Sequence, residues 1–106
     1  MSETILNREN FETEVLDSKI PVFVDFFATW CGPCRMVAPL VAQIATKYEG
    51  KVKVCKLDVD EAPEIAETLN VSSIPTMIMF KDGKPVAQRV GGASMGVLEA
   101  FINDSI

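Results

Sequence analysis

Residues 21–34 read Pro-Val-Phe-Val-Asp-Phe-Phe-Ala-Thr-Trp-Cys-Gly-Pro-Cys. From Pro21 to Ala28 the run is apolar and aromatic except for Asp25, the pattern of a central strand covered on both faces. Beyond it, Val37, Leu40, Val41, Ile44, Ala45 and Tyr48 recur at the three-then-four spacing of a helix with one apolar side. Cys31-Gly32-Pro33-Cys34 therefore falls where a buried strand hands over to a helix. Free backbone N–H groups and the helix dipole stabilise an anion there, so Cys31 is expected to have a lowered pKa and a reactive thiolate. Cys34, three residues on, lies within reach of a disulfide. Pro33 suits the first helical turn, where its missing N–H costs nothing, and Arg35 adds nearby positive charge.

Working outward, Asn7 is expected to cap a helix carrying Phe11, Val15 and Leu16, and Gly50 to stop the long helix. Val52–Val59 is a second buried-strand candidate. Asp60 is expected to cap a short helix with Ile65 and Leu69, Pro63 being tolerated in its first turn. Thr76–Phe80 and Pro85–Val90 flank Lys81-Asp82-Gly83-Lys84, an Asp-Gly hairpin signal, and Ser94 caps a last helix with Leu98, Phe101 and Ile102 on one side. Thr4–Leu6 is a candidate edge strand. Four helices and four or five strands in this order predict an α/β fold: a mixed sheet with helices on both faces, closed by a hairpin and a helix. At 106 residues the chain is expected to form one domain, 1–106.

Composition narrows the chemistry. The chain has three cysteines, no histidine and a formal charge of -5. Without histidine, Ser-His-Asp and Cys-His catalysis and imidazole-bound zinc are excluded. Zinc on cysteine alone would need four soft ligands, and beyond the pair only Cys55 remains, so no metal is expected. An odd cysteine count cannot close a disulfide framework. The acidic balance opposes binding to nucleic acid or anionic lipid. No segment is long and apolar enough to cross a bilayer, and Met1-Ser2-Glu3-Thr4 lacks the regions of a signal peptide, so a cytoplasmic setting is expected. Cys55 alternates within a buried-type strand and reads as a small hydrophobe.

Phe-Ala-Thr-Trp-Cys-Gly-Pro-Cys-Arg closely resembles the active-site segment of the thioredoxin family. Asp25, Pro39, Lys56, Ile74-Pro75-Thr76 and Gly91 fall where that family has its other marks, so the resemblance covers almost the whole chain. It implies the thioredoxin fold and the reduction of protein disulfides. In the implied mechanism the Cys31 thiolate attacks a target disulfide and Cys34 resolves the mixed disulfide. The implied redox group is the reversible Cys31–Cys34 disulfide, with no bound cofactor. The implied partners are disulfide-containing proteins and a thioredoxin reductase, either an NADPH-dependent flavoprotein or a ferredoxin-linked enzyme, acting on a monomer. Two departures stand out: Phe27 where many members carry a second Trp, and Gly92 where a bulkier residue is commoner.

Asp25 is the second informative residue. An ionised carboxylate buried without a partner costs several kcal/mol, so its pKa is expected to rise, and such a group can accept the proton of Cys34 directly or through water. A hydrogen-bonded structural Asp is the alternative. Lys56 is expected either near Asp25 or with its tip in solvent. Ile74-Pro75 opens a strand, a place for either a turn proline or a cis peptide, and the resemblance favours cis. It also implies a flat docking surface of Trp30, Gly32, Pro33, Ile74, Pro75, Gly91 and Gly92. A binding module with incidental thiols is the competing function, and a disulfide oxidase or isomerase is a third.

Overall fold

The computed structural model describes residues 3–106. Met1 and Ser2, part of the N-terminal segment read above, lie outside the described residues. Five strands, β1 (Thr4–Leu6), β2 (Val22–Phe27), β3 (Lys53–Asp58), β4 (Thr76–Lys81) and β5 (Lys84–Val90), form one sheet in the order β1-β3-β2-β4-β5. β3 runs parallel to both β1 and β2, whereas β4 is antiparallel to β2 and β5. The mixed sheet follows from the connections. The helix α1 (Gly32–Lys47) carries the chain back across the sheet between the parallel β2 and β3, and the tight turn keeps β4 and β5 antiparallel. α2 (Pro63–Thr68) and α3 (Met95–Ser105) complete the helical layers.

β2 is apolar throughout because each of its faces has its own core. Phe23 packs with Val37, Val41, Ile44, Leu98 and Ile102 beneath α1 and α3. Val22, Val24 and Phe26 point the other way, onto Leu6, Val15, Leu57, Ile78 and Phe80. Each such large side chain, when fully buried, stabilises by about 1.5–3 kcal/mol relative to exposure. The hairpin forms as expected: Asp82 and Gly83 both take positive φ, 54° and 77°. Glycine is required at 83 twice over, since a Cβ there would sit 2.8 Å from the Leu16 carbonyl oxygen. Ser94 caps α3, its Oγ accepting the Val97 N–H at 3.3 Å.

Asn7 caps the first helix as expected: its Oδ1 accepts the Asn10 N–H and the Asn10 Oδ1 accepts the Asn7 N–H, at 2.8 Å each, while the Asn7 carbonyl accepts the Phe11 N–H at 3.1 Å. Beyond Phe11 the helix is a single π-turn over Glu12–Leu16. Tertiary contacts govern this segment: Phe11 meets the Phe80 ring edge-on at 6.1 Å and Val15 is buried. One expectation is corrected: Asp60 does not cap α2. Pro63 disfavours helical geometry in the residue before it, so α2 starts at Pro63 itself and Ala62 holds the cap position without a side-chain acceptor.

Candidate functional site

Cys31 is the N-cap of α1. Its extended backbone (φ -87°, ψ 115°) ends the approach from β2, and its sulfur accepts the Cys34 backbone N–H at 3.2 Å. A thiolate at this atom would meet the positive end of a helix through a directed donor, the arrangement that lowers a cysteine pKa. Pro33 occupies the first turn, where no donor is lost. Cys31 and Cys34 are joined as a disulfide with Cα atoms 5.2 Å apart. Ala28 is buried with them, and Phe27, Val59 and Ile74 pack against the group. The pair is almost closed to solvent, 5% and 3% exposed, so a reacting partner must seat closely against the loop.

The surroundings divide into an exposed rim and a buried interior. On the rim, Trp30 is 67% exposed and donates its indole N–H to Asp60 Oδ2 at 2.8 Å. Arg35 turns its guanidinium back to donate to the Thr29 carbonyl at 3.0 Å. The Ile74–Pro75 bond is cis, as the resemblance implies. Pro75 is buried and its carbonyl accepts the Gly91 N–H at 2.8 Å, which ties the two loops flanking the disulfide together. Gly91 takes a φ of 98°, a conformation open to glycine, whereas Gly92 is exposed without that constraint.

Asp25 lies inside the sheet, on the strand that leads to the reactive loop. It is fully buried, and neither carboxylate oxygen has a hydrogen-bond partner among the described residues. Burial pushes its pKa up from 3.8 to about 6, against the opposing pull of Lys56 and with a further push from Glu3. Asp25 lies opposite Lys56 on one side and Met77 on the other, placing all three on the sheet face that carries α1. The Lys56 ammonium stands 4.6 Å from the centre of the Phe27 ring. Lys56 also lines a groove of about 250 Å³ with Cys34, Phe27 and Ala38. Cys55 lies apart in β3, fully buried, its thiol pushed up to about 12 chiefly by burial.

The fold thus packs Ile74 against the disulfide and beside Trp30, sets Pro33 beside Gly92, ties Pro75 to Gly91, and places Lys56, strand neighbour of Asp25, on one groove with Cys34. Sequence reasoning missed Asp60. Pro63 keeps α2 from starting at Asp60, but nothing local to Asp60 points to the Trp30 indole 30 residues away.

A disulfide capping a helix at the end of a central strand, on a mixed sheet with helices on both faces, defines a thiol-disulfide oxidoreductase of α/β architecture. The family model described as Thioredoxin matches residues 2–104. The chain is 47% identical to "Thioredoxin C-2" of Corynebacterium nephridii and 45% identical to "Thioredoxin" of Pseudomonas aeruginosa, each over 108 aligned residues covering the whole of both chains. It is 57% identical to "Thioredoxin 1" of Nostoc sp. over 81 residues, 76% of each chain. The chain belongs to the thioredoxin family. It is a protein disulfide reductase that works through a redox-active cysteine pair and needs no bound cofactor; disulfide-containing proteins and a thioredoxin reductase are its partners. Among the described residues no cluster of His, Cys, Asp or Glu is placed to hold a metal, and no helix is long and apolar enough to cross a membrane.

Proposed function

We propose that the chain is a monomeric cytoplasmic reductant, a single domain over residues 1–106, in which Cys31 attacks and Cys34 resolves. The reduced Cys31 thiolate attacks one sulfur of a target disulfide, and the other target sulfur leaves as a thiolate. Cys34, once deprotonated, attacks the Cys31 sulfur, and the second target thiolate departs. Two electrons pass from the cysteine pair to the target, and the pair closes to the disulfide. The observation that carries this reading is the Cys34 N–H aimed at the Cys31 sulfur, which favours charge on Cys31 rather than on Cys34.

Asp25 accepts the Cys34 proton through water, and Lys56, opening onto the same groove as Cys34, moderates the charge that Asp25 acquires. Arg35 adds positive charge beside the pair. Trp30, Gly32, Pro33, Ile74, Pro75, Gly91 and Gly92 form the surface on which an extended target segment docks, pairing with the Ile74 backbone. The oxidised pair is recharged by a reductase, an NADPH-dependent flavoprotein or a ferredoxin-linked enzyme. Nucleic acid and membrane are not partners on this reading, since the chain carries a formal charge of -5.

Turnover of a model protein disulfide tests the proposal. The chain is expected to catalyse reduction with dithiothreitol, and with either NADPH and a flavoprotein thioredoxin reductase or reduced ferredoxin and its linked reductase. The donor that supports turnover identifies the reductase class. Inactivity with dithiothreitol and with both reductase systems would contradict the reading.

A further inference from the structure

Beside the reactive loop runs a second groove, on the side of α1 away from Lys56. It has a volume of about 330 Å³ and is lined by Pro33, Met36, Val37, Leu40, Gly92 and Ala93. Met36 is 81% exposed, the most exposed of the large apolar side chains among the described residues, and it lies two residues beyond Cys34. Val37, its neighbour in the lining, is buried, so the groove has an apolar floor and an exposed thioether on its rim. An apolar cavity of about 150 Å³ is enough to hold benzene, so this groove has room for an aromatic side chain.

The opposite rim is Gly92. Its backbone does not take a positive φ, and a Cβ built there would meet nothing within 4 Å. The fold therefore does not require glycine at this position. A side chain there would instead rise beside the groove and narrow it.

We propose that this groove is a specificity subsite. It takes an apolar side chain, preferably aromatic, from the disulfide-bearing segment of the target, and Met36 is the residue that grips it. The proposal rests on Cys31 being the attacking residue. Pro33 belongs to both the reactive loop and the groove, so a segment seated against Cys31 continues directly into it. Methionine suits the task, because an unbranched, polarizable side chain repacks around differently shaped apolar groups. The narrower groove of a chain with a larger residue at 92 would favour smaller side chains, so Gly92 widens the range of targets accepted here.

The test uses two series of short peptides, each closed by one disulfide and otherwise alike, carrying Phe or Ser at each position flanking the cysteines in turn. At one position or more, the unaltered protein is expected to reduce the Phe peptide about tenfold faster in kcat/KM than its Ser counterpart, through KM, as is typical of filling a hydrophobic pocket. Met36→Gln is expected to remove most of that preference while changing rates on the Ser peptides less than twofold, and Met36→Leu to retain it. Equal rates on Phe and Ser peptides at every position, or an equal loss on both in Met36→Gln, would overturn the subsite and leave the disulfide reductase intact. Failure of the unaltered protein to reduce any of the peptides would overturn the reactive-loop reading, and the subsite with it.

Discussion

A Cys31→Ser protein is expected to reduce protein disulfides at least about a thousandfold more slowly than the unaltered chain, in line with the large losses that follow removal of an enzyme's nucleophile. No histidine is present to activate the hydroxyl that replaces the thiol. Nor can the helix terminus substitute for a base. A directed N–H stabilises a thiolate already accessible near neutral pH, whereas a serine hydroxyl remains protonated. Misfolding does not explain such a loss, because serine is among the preferred helix N-caps and Cys31 occupies that position. The reduced forms of the two proteins are expected to unfold within about 1 kcal/mol of each other in denaturant. Turnover and unfolding measured on the same samples separate chemistry from stability.

Asp25 gives the second large effect, and its sign is opposite to that of an ordinary salt-bridged carboxylate. Its pKa is 3.8 in the unfolded chain and about 6 in the fold, so the folded state holds the proton more tightly. Below pH 3.8 the group is protonated in both states and carries no penalty. Between pH 3.8 and about 6 the unfolded chain has released the proton that the fold still holds, so stability falls as pH rises, and the loss is complete at about 3 kcal/mol once pH has passed through 6. Asp25→Asn has no such titration. The stability of the variant relative to the oxidised parent is therefore expected to grow by about 3 kcal/mol between pH 3.5 and pH 7.5, read from denaturant titrations. A difference that stays flat across this range would show that Asp25 titrates normally.

The same substitution separates a structural role from a proton-transfer role. General-base catalysis typically contributes 10²–10⁴-fold, so turnover in Asp25→Asn is expected to fall by about a hundredfold near neutral pH, at the resolving step. The rise in parental turnover through pH 6 should disappear with it. Unchanged turnover across pH 5.5–8 would leave Asp25 with no part in resolution.

Much of the fold was legible because local and global signals agree. The unbroken apolar run of β2 has a single physical explanation, two cores, and both are present around Phe23 and Phe26. Asp-Gly and Ser94 specify backbone geometry directly, and both form as their chemistry dictates. Asn7 was legible as a cap for the same reason, whereas the π-turn beyond it is set from outside. Phe11 reaches Phe80, 69 residues away, and no local periodicity carries that distance. The placement of Asp60 on Trp30 and the groove between Met36 and Gly92 are likewise products of tertiary adjacency. The reactive pair is the reverse case: its chemistry depends on four consecutive residues and one strand-to-helix junction, all local.

The central claim is that Cys31 attacks and Cys34 releases, and mass spectrometry of a Cys34→Ser protein tests it most directly. Incubated with an oxidised target protein, the variant is predicted to accumulate a covalent adduct that dithiothreitol reverses and whose peptide map joins a target cysteine to Cys31. An absence of adduct, or a map that joins the target to Cys55, would contradict it.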